Sequence, residues 1–227
     1  MRAKFYTFTE QGPRVSNQDY FRVVMTKERT LFIVCDGRGG HALGDVASRV
    51  VGDVYCDYWL NNPEECDSED KVFNARVLAS DAIEQQKDTY GNVEMGTTLV
   101  MASLENEQLL VAHVGDSRCY VVRDGGLIYR TRDHVTDVNG STKLTRCFFT
   151  NHRDAAFPDI KMIPVKIGDR FLLCSDGVYN SMPPEILHER LADKEDPISN
   201  VTDAVKFLCE KNAKDNYTAI FVEIVQD

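Results

Sequence analysis

Leu31-Phe32-Ile33-Val34-Cys35-Asp36-Gly37-Arg38-Gly39-Gly40-His41 is the stretch that decides the architecture. Its five leading apolar residues, most of them branched or aromatic, read as a strand buried on both faces. The run stops at an acid, Asp36. Three glycines within the next four residues let the backbone turn tightly and be approached closely. Beyond them a helical pattern begins, with Val46, Val50, Val51, Val54 and Tyr58 on one face. A carboxylate at the rim of a buried sheet is well placed to hold a hard cation, although a lone Asp-Gly is more often a plain turn.

The same stretch contains Gly37-x-Gly39-x-x-Ala42, which fits a dinucleotide fingerprint between strand and helix. Charge and order argue against that reading. Asp36 would sit beside a pyrophosphate and repel it, and the helix is followed by a second helical stretch instead of a parallel strand.

The 227 residues suffice for one large domain, expected over 1–227, with a sizeable core. No apolar run approaches a membrane span, and no signal-peptide core follows Met1-Arg2-Ala3-Lys4. A net charge of −10 argues against nucleic acid or an anionic membrane as partner, since both require a basic face. The seven cysteines are odd in number and contain no C-x-x-C pair, so neither a zinc ribbon nor a redox motif is indicated. Cys35, Cys119 and Cys174 lie in apolar runs and read as reduced core residues of a cytoplasmic protein.

Strands are expected at Phe5 to Thr9, Tyr20 to Met25 and the central run. Two helices follow at about 42–60 and 69–87, the second with Phe73, Val77, Leu78 and Ala82 inward. Strands over Thr97 to Leu104, Gln108 to Val114, Arg118 to Arg123 and Leu127 to Thr131 are joined by hairpin-length links, which means antiparallel pairing. Residues 133–158 carry no period and read as a long loop or flap. Strands resume at Ile160 to Val165 and Arg170 to Cys174. Pro183-Pro184 opens a short helix, Asn200 is read as the cap of another, and Tyr217 to Ile224 is the last strand. The pattern predicts a layered α+β domain.

Acids recur at strand ends beside Gly or Asn: Asp36, Asp116, Asp176 and Asp215, with Asp19 opening a strand. Each taken singly reads as a turn residue. Gathered together they would repel one another and stay ionised only beside cations. An oxygen-only donor set favours Mg2+ or Mn2+ over zinc.

The order of the motifs is more specific. Arg14-x-x-Asn17-Gln18-Asp19, Asp36-Gly37-Arg38-Gly39-Gly40-His41, Gly96-Thr97-Thr98 and His113-Val114-Gly115-Asp116-Ser117-Arg118 follow one another. Asp133-His134, Leu144-Thr145-Arg146, Ser175-Asp176-Gly177 and Asp215-Asn216-Tyr217-Thr218 complete the series. In this order they closely resemble the metal-dependent protein serine/threonine phosphatases of type 2C, the PPM family, in a compact bacterial-like form. The match covers about residues 5–224.

That resemblance implies an α-β-β-α sandwich of two antiparallel sheets packed face to face with helices outside. It implies two Mn2+ or Mg2+ ions in the cleft, with Asp19, Asp36, Asp176 and Asp215 on ligand positions, Gly37 offering its carbonyl, and Asp116 on a third, weaker site. Arg14 falls on the position that grips substrate phosphate. Arg14, Asp36 and Asp176 are therefore the expected catalytic residues. Hydrolysis of phosphoserine and phosphothreonine would proceed by direct attack of a metal-bridging hydroxide, and residues 135–158 would form the flap. The implied partners are phosphoprotein substrates and an opposing kinase in signalling, with the enzyme a monomer.

Three positions depart from the family pattern. Gln18 replaces a common Glu, and Asn180 replaces an Asp that helps hold the third metal. Arg38 stands where eukaryotic members have a His proposed as general acid; His41 is the candidate to take that role. The competing reading is a weakened homologue that binds phosphoproteins as a regulator. A phosphatase working through a phospho-aspartyl intermediate would need Asp-x-Asp at a strand end, and Asp36-x-Arg38 does not supply it. His113 reads as a hydrogen-bonded core residue and His134 as structural.

Overall fold

The computed structural model describes residues 1–38, 43–65 and 67–226. In chain order they form β1 (Arg2–Glu10), β2 (Asp19–Met25), β3 (Arg29–Asp36), α1 (Gly44–Asn61) and α2 (Glu69–Thr89). Next come β4 (Gly96–Thr97), β5 (Leu99–Glu105), β6 (Gln108–Val114), β7 (Arg118–Arg123), β8 (Gly126–Arg130), β9 (Val135–Val138), β10 (Ser141–Leu144) and β11 (Phe148–Phe149). The chain closes with β12 (Asp159–Pro164), β13 (Arg170–Cys174), α3 (Asp176–Tyr179), α4 (Pro184–Ala192), α5 (Ile198–Asn212) and β14 (Tyr217–Val225).

Two five-stranded sheets, ordered β12-β6-β5-β3-β2 and β1-β14-β13-β7-β8, are antiparallel throughout. The central strand shows why they stack. Along β3, Phe32 and Val34 point to the second sheet, while Leu31, Ile33 and Cys35 point to α1 and α2. The second sheet repeats the alternation: Ile220, Val222 and Ile224 of β14 face the first sheet, and Ala219 and Phe221 face α4 and α5. A period of two with both faces apolar requires a cover on each side. The result is the expected α-β-β-α order of layers.

Both long helices sit rotated from the expected faces. In α1 the buried line is Ala47, Val51, Tyr55 and Trp59, while Val46, Val54 and Tyr58 lie on its flank. Tyr55 and Trp59 take the inner positions where Val54 and Tyr58 were expected. Here Tyr55 and Trp59 stack at 6.2 Å, and the Trp59 Nε1–H donates to Asp67 at 3.0 Å, which satisfies the polar tip. In α2, Val72, Ala75, Ala79 and Ile83 turn inward, leaving Val77 and Leu78 about half exposed. Small side chains let α2 lie close on α1.

Two further expectations are corrected. The stretch 135–158 is not a bare loop. β9 and β10 form a hairpin through Asn139 and Gly140, both at positive φ, which is the turn that Asn-Gly favours. Its strands are short and mostly exposed, with Val135 and Leu144 half-buried and Val138 exposed, so no clear alternation signalled it. Asn200 does not cap α5. It lies inside the first turn and its side-chain amide donates to Asp196 at 3.0 Å, while Pro197 holds the cap position.

Candidate metal centre

The predicted carboxylates arrive from both sheets. Asp19 at the start of β2 is the register partner of Asp36 at the end of β3, so antiparallel pairing alone sets two acids side by side. Asp176 begins α3 directly after β13, and Asp215 precedes β14. A side chain at position 37 would collide with the Gly44 carbonyl, and one at 177 with that of Asn216. Glycine at these two positions lets separate segments approach closely behind the acids.

The rest of the frame comes from residues that the motifs contained but that had no assigned role. Ser175 donates from Oγ to Asp19 at 2.7 Å and accepts from the Thr218 N–H at 3.0 Å, tying the two sheets together behind the acids. The Thr97 hydroxyl donates to the Asp36 carbonyl, and the Asp36 N–H donates to Thr98 Oγ1. Asn216 donates from Nδ2 to the carbonyls of Gln11 and Ser16 and accepts from the Gln18 N–H, which pins the loop that carries Arg14. Paired Ser, Thr and Asn beside spaced acids were the available signal.

Three depressions of about 190, 150 and 330 Å³ meet at these acids. Asp215 lines all three, Asp36 the first two, Asp176 the last two, and Arg14 the first and third. Asp19 lines none and sits behind, on Ser175. The Arg14 guanidinium pairs with Asp215 at 2.5 Å. Asp116 shares the second depression with Arg38, Thr98 and Leu144, so the β10 end of the flap hairpin reaches the cleft.

Burial is the first cause of the acids' altered protonation. It pushes Asp19 up to about 6, with Asp215 adding repulsion against the hydrogen bonds of Ser175 and Thr218. It pushes Asp176 up to about 7, with Asp116, Asp215 and Asp19 adding to the effect. Asp36 is raised well above the usual carboxylate range by burial and then by Asp19, Asp176, Asp116 and Asp215. Asp116 is raised by burial and by Asp133. Acids that raise one another in this way call for cationic charge. Among the described residues no three of them bring one oxygen each within 4.8 Å of one another.

One set of potential ligands does meet that limit: His113, His134 and Asp159. Its hydrogen bonds argue against an ion. His134 Nδ1 accepts from the Gly115 N–H at 3.1 Å, which leaves the ring proton on Nε2, facing Asp159 at 3.1 Å. His134 therefore braces the Gly115-Asp116 turn. His113 is 1 % exposed, stacked on His134, with Nε2 on the Arg132 carbonyl, as a core histidine should be.

The three departures behave differently. The Gln18 carbonyl accepts from the Gly37 N–H and from Ser48, and its side chain packs on Gly44. Asn180 turns its amide Nδ2 toward Asp176 at 3.5 Å, a donor where a ligand oxygen would be wanted. Arg38 lies over the Phe149 ring at 5.2 Å. His41, the candidate proton donor, lies outside the described residues. Cys35, Cys119 and Cys174 are buried and free, as are Cys56, Cys147 and Cys209.

Comparison with known proteins agrees with this geometry. The family described as protein phosphatase 2C matches residues 14–218. The serine/threonine phosphatase Stp of Listeria monocytogenes is 31% identical over 98% of this chain and 96% of its own length. The protein phosphatase PhpP of Streptococcus pneumoniae is 28% identical over 94% of each. The crystal structure of the PstP catalytic domain in complex with two manganese ions superposes with a TM-score of 0.80 at 28% identity, covering 99% of both chains.

Proposed function

The chain belongs to the protein phosphatase 2C family of serine/threonine phosphatases, and from that premise we propose that it hydrolyses phosphoserine and phosphothreonine in proteins at a two-ion centre of Mn2+ or Mg2+. The observation that carries this reading is the convergence of Asp36, Asp176, Asp215 and Arg14, from four separate segments, on adjoining depressions.

The donor set fits such ions: carboxylates without thiol or imidazole, held by burial at raised pKa values that cations would reverse. In this proposal Asp19, Asp36, Asp176 and Asp215 hold the pair, with the Gly37 carbonyl. The ions supply, when bound, ionised water at neutral pH and positive charge against the transferring phosphoryl group. Asp36 lines two of the adjoining depressions and would be one of the ligands. Ser175 orients Asp19 through its 2.7 Å bond. Arg14 has donors to spare beyond Asp215, so its fork grips the substrate phosphate while Asp215 steadies it. The complete carboxylate set argues against an inactive regulator.

The proposal extends to one catalytic domain over 1–227 acting as a monomer, since one chain supplies every group in the centre. Six buried free cysteines fit a reducing cytoplasm, where the partners would be phosphoproteins and the kinase that opposes this enzyme in signalling. No helix among the described residues is long and apolar enough to cross a membrane. The test is manganese-dependent phosphate release from a phosphothreonine peptide. Full activity after exhaustive chelation would end the reading.

A third ion at Asp116 is expected to bind only in the millimolar range, as weak oxygen sites do. Asn180 presents a neutral amide there, and the positive charge of Arg38 acts on Asp116. Asn180→Asp should raise third-site occupancy at fixed manganese. Calorimetry showing three equally tight sites in the native protein would contradict this.

A guanidinium is not a proton donor for a leaving group, so Arg38 does not serve as general acid. The rate should therefore depend steeply on leaving-group pKa, with p-nitrophenyl phosphate hydrolysed well and alkyl phosphates poorly. General acids contribute about 10²- to 10⁴-fold. Arg38→His should flatten the dependence and add a limb near pH 6 to 7. The measurement is kcat/KM over a series of aryl and alkyl phosphates. Equal slopes for both proteins would show that no proton at position 38 reaches the leaving oxygen.

A further inference from the structure

Resting on the phosphatase reading, we propose that Arg38 and Lys214 form a two-sided basic rim that selects phosphorylated sites flanked by acidic groups. The two residues stand in different depressions that share Asp176 and Asp215: Arg38 in the one of about 150 Å³, Lys214 in the one of about 330 Å³. Arg14 lines the Lys214 depression and pairs with Asp215, which lines both, so a peptide whose phosphate meets Arg14 there would extend one flank toward each.

Arg38 is held in place without being neutralised. Its backbone N–H donates to the Gly96 carbonyl at 3.0 Å. Its side chain lies close against Gly96, where an added Cβ would come within 3.3 Å of Cδ. The guanidinium rests over the Phe149 ring at 5.2 Å, and its polar contact among the described residues is the Cys147 sulfur at 3.9 Å. Most other part-buried arginines are treated differently: Arg22, Arg29, Arg118, Arg123 and Arg170 each have a carboxylate within 3.0 Å. Arg76 has no carboxylate partner either, but it lies over Phe157 at 6.0 Å and donates to the Arg153 carbonyl, so it is Arg38 that brings a stacked guanidinium without an ion pair to the cleft. Lys214 is exposed and likewise has no ion pair among the described residues.

Two divalent ions would balance Asp19, Asp36, Asp176 and Asp215, and Asp116 offsets one of the three positive charges of Arg14, Arg38 and Lys214, so the rim of the loaded centre stays net positive. Arg14 takes the scissile phosphate. Arg38 and Lys214 then meet whatever flanks it, and the pre-ordered planar fork of Arg38 discriminates more sharply than the flexible lysine. Carboxylate and phosphate share the chemistry that this rim recognises. A flanking Asp or Glu and a second phosphorylated residue are its two sources.

The experiment uses the manganese-loaded enzyme and phosphothreonine peptides that differ only in their flanks: alanine, glutamate, phosphoserine or lysine. Wild type is expected to prefer glutamate over alanine flanks by about tenfold in kcat/KM, mainly through KM, and to turn over lysine flanks worst. A higher rate with phosphoserine flanks than with glutamate would mark phosphate as the better source, and the reverse order would mark carboxylate. Either order supports the rim. Arg38→Met should cut the glutamate-to-alanine ratio about three- to fivefold, Lys214→Met about twofold, and Arg38→Lys should keep part of the preference. Added salt should shrink the ratio in wild type. Because Lys214 is exposed, its variant keeps the test alive should Arg38→Met fold poorly. Hydrolysis with equal kcat/KM for alanine and glutamate flanks, or a ratio undiminished in the double variant, overturns the rim alone. Absence of any manganese-dependent hydrolysis, p-nitrophenyl phosphate included, overturns the phosphatase reading and the rim with it.

Discussion

Asp36→Asn is expected to lower kcat by about three orders of magnitude or more, and at the same pH 7 to make the metal-free protein more stable. Both effects come from one position. Asp36 lies in two of the depressions that meet at the centre, and its backbone is fixed from both sides by Thr97 and Thr98. In the proposed centre, losing its charge would weaken the hold on the ions, and without them water would not be ionised at neutral pH. In the metal-free protein the same charge is a burden, because burial and then four other acids disfavour it. An isosteric amide removes that repulsion without opening a cavity. The check is steady-state kinetics with manganese beside melting curves after chelation. Activity within tenfold of wild type, or a metal-free variant that melts lower than wild type, would remove Asp36 from the centre.

The metal-free wild type is expected to lose stability as pH rises from about 4.5 to 7, opposite to the trend of a protein held by ordinary ion pairs. Burial pushes Asp19 up to about 6 and Asp176 up to about 7, well above the ordinary carboxylate range. The folded state therefore binds these protons more tightly than the unfolded chain. Their contribution is complete below the unfolded value and is lost as pH climbs through 6 and 7. Each pKa unit corresponds to about 1.4 kcal/mol, and the acids share one another's repulsion, so a total of a few kcal/mol is the scale. Acids lowered in the fold, such as Glu84 and Asp159, act in the other direction, and their contribution is lost on acidification below their ordinary range. Manganese at a hundredfold excess over Kd adds about 2.7 kcal/mol, and for a chain of this length each kcal/mol moves Tm by roughly 2–4 °C. The gap between loaded and metal-free melting temperatures should widen with pH and narrow in Asp215→Asn. A metal-free Tm that is flat from pH 5 to 7, or an unchanged gap in Asp215→Asn, would contradict the electrostatic account.

Much of this was legible in the sequence, for identifiable reasons. Five apolar residues ending at Asp36 gave a doubly buried strand because burial on both faces leaves no polar alternate position. The acids were legible through their neighbours, Gly37, Gly177 and Asn216, which mark close backbone approach. What stayed hidden depends on tertiary partners. No local pattern says that Trp59 has Asp67 to satisfy its nitrogen, so the α1 face came out rotated. Nothing near Ser175 reveals that its hydroxyl will find Asp19 in the other sheet. Asn139-Gly140 did carry a hairpin signal, muted by short, mostly exposed strands.

The pairing of β1 with β14 bears on how the protein is made. β1 ends at Glu10 and its register partner Tyr217 follows about two hundred residues later. At about 5–20 residues per second, ribosomal synthesis takes roughly 10–40 s to cover that gap. Until β14 emerges, β1 lacks its strand partner, and Phe8 lacks the Tyr217 and Phe221 rings it finally packs on. Arg14 also waits for Asp215, and its loop waits for the three bonds of Asn216. A growing chain therefore carries an unfinished centre until Asp215, Asn216 and β14 have been made. Phosphatase activity would be released only after that segment has been translated, which keeps shorter chains from stripping phosphate from their surroundings.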